Sequence, residues 1–247
     1  MKMTGNTMLI TGGGSGIGRE LAQRFHALGN RVIVAGRTRE RLEETIGGRD
    51  DMEALVFDAN DPASIEQLAA DALARFPTLN VLINNAGIMD RETLTARGDT
   101  ALAERTFTTN VLGPIRLTNA LVEHLRGQAD AAIVNTTSGL AFVPLAAAPS
   151  YSASKAALHS WTVSLRVQLQ GEVEVIELAP PAVRTELTPG QSTREGYMPL
   201  DEYAAEVMTL FAQQPTPREI LVDAVHFLRF AEREGRFDAA VQAVSAL

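Results

Sequence analysis

Short apolar runs rich in Val, Ile, Leu and Ala alternate along the chain with longer stretches whose apolar residues recur every three or four positions. The short runs fit strands buried on both faces and the longer stretches fit amphipathic helices, so the alternation predicts βαβ units around a parallel sheet. Strands are expected at residues 8–10, 32–35, 54–57, 81–83, 131–135 and 173–178, and helices at 17–28, 39–46, 63–75, 99–126 and 151–170. Beyond 178 the alternation lapses into a stretch holding Pro180, Pro181, Pro189 and Gly190, followed by two or three helical patterns and no convincing seventh strand. The composition of 179–210 suits a mobile lid and a plain connection equally. No linker rich in Pro, Gly or Ser, no repeat and no low-complexity tract divides the sequence, so residues 1–247 are read as one α/β domain.

Composition narrows the chemistry. The 247 residues contain no cysteine, which removes disulfides, thiolate nucleophiles, zinc ribbons, iron–sulfur clusters and redox dithiols from consideration. Net charge is -8 and the 22 Lys and Arg residues are scattered, an arrangement that argues against a nucleic-acid partner. The N-terminus has no signal-like apolar stretch and no later run reaches the roughly 18 apolar residues of a membrane span, so the protein is expected to be soluble and cytoplasmic. His26, His124, His159 and His226 show no ligand spacing; each is read as an ordinary helix residue, and no metal is expected.

Two motifs carry the candidate chemistry. Thr11-Gly12-Gly13-Gly14-Ser15-Gly16-Ile17-Gly18 follows the first strand and opens the first helix, where glycines permit a tight turn and free N–H groups at the helix start hold a pyrophosphate. A flexible turn is the competing reading for the motif alone. A nucleoside-triphosphate loop fits less well, because Arg19-Glu20 follows Gly18. The second strand ends at Arg37, with Arg39 and Arg41 close behind, where an NAD site would place an acid; a guanidinium there suits a 2′-phosphate and favours NADP(H). In the second motif, Tyr151-Ser152-Ala153-Ser154-Lys155, the spacing of four puts phenol and ammonium on one helical face. An adjacent ammonium favours the phenolate of a tyrosine that would otherwise ionise near about 10. Tyr-x-x-x-Lys is common by chance; its weight comes from order, since Asn84-Asn85-Ala86-Gly87 ends the fourth strand and Ser138 follows the fifth. All of these would meet at the carboxyl ends of the strands, where ligands bind.

Taken together, Thr11 to Gly18, Asp58, Asn84 to Gly87, Asn110, Ser138, Tyr151 and Lys155 make residues 7 to 187 resemble the short-chain dehydrogenase/reductase family. The resemblance implies a Rossmann-like doubly wound sheet of six or seven strands, order 3-2-1-4-5-6, with a helical C-terminus. It implies Asn110, Ser138, Tyr151 and Lys155 as catalytic residues: Tyr151 the general acid for carbonyl reduction, Ser138 orienting the substrate oxygen, Lys155 lowering the tyrosine pKa and binding the nicotinamide ribose. Asp58 would contact the adenine, and Gly12, Gly14, Ser15, Gly16, Ile17, Gly18, Arg37, Asn85, Ala86, Gly87, Val183 and Thr185 would complete the cofactor site. Pro114, which has no N–H for the Asn110 carbonyl, leaves that carbonyl free and predicts a kink in the helix. In the family that carbonyl holds a water linking the lysine to solvent.

Two departures stand out. Pro180-Pro181-Ala182-Val183-Arg184-Thr185 has Pro181 where the family has glycine, and the segment from Arg218 onward lacks the usual final strand. The tail, with Tyr197-Met198-Pro199-Leu200, is similar to a bacterial branch named for an oxidoreductase of the D-alanyl-lipoteichoic-acid operon. The expected function is NADPH-dependent carbonyl reduction, reversible as alcohol oxidation. A non-catalytic NADP(H)-binding redox sensor is the alternative; a serine hydrolase lacks its Gly-x-Ser-x-Gly. Met89, Leu140, Phe142, Val143, Leu145, Leu187 and Tyr197 are candidate lining for a largely apolar substrate pocket. Ala153, Ala156 and Ala157 would let a helix approach closely, and a homodimer or homotetramer is expected.

Overall fold

A computed structural model of the chain describes residues 1–95 and 100–246. Its sheet is parallel throughout, in the order β3-β2-β1-β4-β5-β6-β7. The strands are β1 (Thr7–Thr11), β2 (Arg31–Gly36), β3 (Met52–Val56), β4 (Leu79–Asn84), β5 (Ala132–Thr136), β6 (Glu174–Leu178) and β7 (Glu219–Ile220). Helices α1 (Gly16–Ala27), α2 (Arg39–Ile46), α3 (Pro62–Arg75), α4 (Ala101–Phe107), α5 (Gly113–Arg126), α6 (Pro149–Gln168), α7 (Leu200–Phe211), α8 (Asp223–Arg229) and α9 (Phe237–Ser245) complete the chain.

Strand side chains alternate between two buried layers, which is why the strands read as continuous apolar runs. Met8, Ile10, Val32 and Val34 pack with Leu21 and Phe25 of α1 and with Tyr203, Val207 and Phe211 of α7. Leu9, Ile33, Leu82 and Ile133 pack on the opposite face, with Ile65 and Leu68 of α3, Leu117 and Leu121 of α5 and Leu165 of α6. None of the described helices is long and apolar enough to cross a membrane.

Two expectations are corrected. The tail does supply a final strand: β7 pairs in parallel with β6, Glu177 opposite Glu219 and Leu178 opposite Ile220. At two residues, shortly after Pro215 and Pro217, it is too brief for a period to register. The helix expected over 99–126 is interrupted by a π-helical turn, Thr108–Leu112, where the Gly113 N–H bonds the carbonyl of Thr108, five residues back. Pro114 explains the loss of register, since it cannot donate to Asn110 four residues earlier. Asp99, the expected start of that helix, lies outside the described residues.

Candidate active site

The polarity of the sheet directs the ends of β1, β2, β4 and β5 to one edge, and β1 sits where the strand order reverses. The glycine turn between β1 and α1 is packed against the end of β4. Gly12 has φ +67°, and a Cβ on it would lie 2.9 Å from the Ala86 Cα; one on Gly18 would lie 2.3 Å from the Gly12 carbonyl oxygen. Larger residues are therefore excluded at both positions. The Asn85 side chain donates to the Thr11 carbonyl at 3.1 Å, and the Thr11 hydroxyl accepts from the N–H groups of Asn85 and Ala86 at 3.0 and 3.1 Å.

A cleft of about 350 Å³ runs along this edge, lined by Gly12, Ser15, Gly16, Ile17, Arg37, Asn85, Ala86, Gly87, Met89, Ser138, Tyr151, Lys155, Val183, Thr185 and Leu187. It continues into a second recess lined by Gly14, Arg37, Thr38, Arg41, Asp58, Asn60 and Thr109. Of the residues expected in the cofactor site, Gly18 packs inside the turn and does not line the cleft. Among the described residues neither Arg37 nor Arg41 forms an ion pair, so two guanidinium groups meet the recess alongside a single carboxylate, Asp58. Arg39 instead pairs with Glu43 at 3.7 Å, away from it. The Asp58 carboxylate accepts from the Asn60 N–H at 2.9 Å, and the Thr109 hydroxyl donates to the Asn60 side chain at 2.8 Å, tying the β3 end to the π-turn. Sequence reasoning missed Asn60, whose contact with Thr109 joins two elements distant in the chain.

At the other end of the cleft Tyr151 and Lys155 share a face of α6, with the Lys155 Nζ 5.7 Å from the centre of the Tyr151 ring. Both are buried. Burial pushes the Tyr151 phenol up to about 12, opposed by a hydrogen bond from Ser138, and brings the Lys155 ammonium down to about 8. Lys155 donates to the Thr136 carbonyl at 2.8 Å. The Ser138 hydroxyl, beginning a short helical turn (Gly139–Ala141), accepts from the Leu140 N–H at 3.1 Å. Asn110 does not line the cleft: fully buried, it accepts from the Ile88 N–H at 2.9 Å and donates to the Ile88 carbonyl at 2.9 Å and the Ser154 hydroxyl at 3.1 Å. Behind it, Asn84 donates to Thr118 and to Asn135, which donates to Thr162, all buried. This chain of amides and hydroxyls fastens β4, β5, α5 and α6 in one register.

Opening from Tyr151 and Ser138 is a smaller, mainly apolar cavity of about 120 Å³ whose walls include Met89, Leu140, Leu145, Leu187, Tyr197, Leu228 and Val244. Phe142 is not among them: its ring stands edge-on to His159, 5.0 Å between centroids, and lies beneath the Arg229 guanidinium at 4.6 Å. Val143 is also set apart, buried with Ala231, Ala240 and Val244 in a small core under the tail. The loop bearing Pro181 is firmly held, since the Arg184 N–H bonds the Met198 carbonyl and the Met198 N–H bonds the Ala182 carbonyl, each at 2.9 Å. Gln191, missed in the sequence, ties it further by donating to the Val183 carbonyl at 2.8 Å and the Thr185 hydroxyl at 3.2 Å.

A family model described as short chain dehydrogenase matches residues 6–196. The chain is 45% identical over 204 residues to the oxidoreductase DltE of Bacillus subtilis (strain 168), covering 79% of each protein. It spans 65% of the length of the bovine and mouse relatives it matches, each named Dehydrogenase/reductase SDR family member 7B. Among solved structures, a short-chain dehydrogenase from Streptomyces avermitilis is 25% identical with a TM-score of 0.84, covering 98% of this chain and 97% of that one. A 3-ketoacyl-(acyl-carrier-protein) reductase from Brucella melitensis, complexed with NADH, is 27% identical with a TM-score of 0.78, covering 87% of this chain and 94% of that one. The strand order, the packed glycine turn and these likenesses agree, and the chain belongs to the short-chain dehydrogenase/reductase family of oxidoreductases, whose fold binds a nicotinamide cofactor.

Proposed function

We propose that the protein is an NADPH-dependent carbonyl reductase, working in reverse as an alcohol dehydrogenase, on medium-sized and largely apolar ketones or aldehydes. The observation that carries the reading is the meeting of cleft and apolar cavity at Tyr151 and Ser138, both of which line each of them. The residues fit the cofactor: a twelve-residue helix presents its N-terminus beside a glycine turn, and Thr136, which lines the cleft, has a buried hydroxyl with no partner among the described residues. Arg37 and Arg41, neither of them ion-paired among the described residues, suit a 2′-phosphate and favour NADP(H) over NAD(H). When bound, the reduced nicotinamide supplies the hydride.

The protein's own part is to hold and deliver a proton. With its ionisation pushed up to about 12, Tyr151 is a neutral phenol at physiological pH and donates from Oη to the substrate oxygen as negative charge develops there. Ser138 hydrogen-bonds the same oxygen and fixes its direction. Lys155, one helical turn along α6 with its ammonium over the ring, stabilises the phenolate left behind. The apolar walls exclude water and admit an uncharged substrate body.

The exposed stripe of α6, with Ala153, Ser160, Val163 and Val167, supports a homodimer or homotetramer, and we read the protein as cytoplasmic. The test follows loss of reduced-nicotinamide absorbance with NADPH and, separately, NADH against aliphatic, aryl and dicarbonyl compounds. Turnover with NADPH that falls at least about a hundredfold in Tyr151→Phe is expected. Preference for NADH would overturn the cofactor assignment alone; tight NADPH binding without turnover of any carbonyl would favour the sensor.

A further inference from the structure

Among the described residues two acidic or basic side chains are buried, Lys155 and Glu177. They hang on consecutive residues of one strand end. Lys155 donates to the Thr136 carbonyl at 2.8 Å, and the Thr137 hydroxyl donates to Glu177 at 2.6 Å. The next residue is Ser138. Glu177, on β6, also takes His159 on both carboxylate oxygens, at 3.0 and 2.8 Å. His159 in turn lies on α6 one turn beyond Lys155 and two beyond Tyr151, so the loop of contacts closes through the catalytic helix.

We propose that the Glu177–His159 pair is a positioning unit of the active site, acting through Thr137 to fix the strand end that holds the Lys155 ammonium and aims the Ser138 hydroxyl. The inference rests on the reductase reading of the same site. With Glu177 buried and His159 half-buried, the pair is a poor source of stability, because desolvation offsets much of the attraction. Its placement behind the catalytic residues gives it a use that packing alone would not.

The surroundings keep the pair intact. Glu177 raises the ionisation of His159 above its usual range, through the hydrogen bond first and its charge second, against the opposing effect of burial. Facing it from β7 and α8, Glu219 and Arg229 are already joined by two hydrogen bonds of 2.9 Å. Arg166, on α6, donates to the carbonyls of Val175 and Arg218, and the Phe142 ring covers the imidazole edge. His159, Glu177 and Glu219 place ligand atoms within 4.8 Å of one another, but with Arg229 on both Glu219 oxygens the cluster is an ion-pair network and not a cation site.

The chain contains two lysines, Lys2 and Lys155, so carbon-13-labelled lysine gives two resonances, one of them a direct report on the site that needs no turnover. Thr137→Val, nearly isosteric, cuts the link while leaving Glu177 with His159. It is expected to lower kcat about tenfold, leave NADPH affinity within about twofold, and move the Lys155 titration by at least about half a pH unit. Glu177→Gln, made in the wild-type background, keeps an acceptor for Thr137 and is expected to retain most of the activity and the Lys155 titration while the His159 ionisation drops. A folded Thr137→Val protein with unchanged Lys155 titration and unchanged kcat overturns the proposal, and that variant decides alone if Glu177→Gln does not fold. Should no carbonyl be reduced, the reductase reading fails, and the lysine resonance still decides the positioning role.

Discussion

At Lys155 burial works against the fold. The ammonium ionises near 8 in the folded protein, lowered from 10.5 by desolvation, so below about pH 8 the folded state carries a charge that water would stabilise better. Between these values the unfolded chain binds the proton and the folded one does not, so wild-type stability rises with pH through that window. Lys155→Met removes the charge at the cost of the hydrogen bond to Thr136. It is expected to be more stable than wild type by roughly 1–3 kcal/mol near pH 7, with the gap closing towards pH 10. Thermal melts at both pH values check this; a variant less stable at neutral pH would refute it. Tyr151 and Lys155 were legible in the sequence because their relation is local, four residues on one helix. Phe142 was misplaced, and the Glu177–His159 contact unseen, because both depend on which elements pack together.

At the scale of elements, the π-turn shows a sequence signal read in outline and completed by the structure. Pro114 announces a break; it does not announce that the helix absorbs an extra residue, so that Asn110 reaches the Ile88 backbone and Ser154. Pro114→Ala restores an N–H for the Asn110 carbonyl and lets the turn close to α-helix. The expected outcome is a protein at least as stable as wild type whose kcat falls about tenfold or more through misplacement of the Asn110 side chain. Melting temperature and steady-state kinetics on one preparation test both halves. The six longer strands declared themselves through their apolar runs, whereas β7 has two residues and pairs only at the edge of β6. The loop at Pro181 was likewise beyond the sequence, because Gln191 and Met198, which hold it, act across the chain.

For the whole molecule, the α6 face turned away from the sheet carries Ala153, Ser160, Val163, Ser164 and Val167 along one stripe, with Val167 69% exposed. Small and apolar residues at that spacing allow a second helix to approach closely. Val167→Arg is expected to convert an oligomer into monomers by light scattering at micromolar concentration; a wild-type monomer would refute the interface. The two ends of the active site also differ in where they come from. The cleft and its recess are lined by residues no later than Gln191, whereas Leu228 and Val244, from α8 and α9, help to wall the apolar cavity and share a small core with Val143. Changes confined to those two helices would therefore reshape one wall of the apolar cavity while leaving the lining of the cleft untouched.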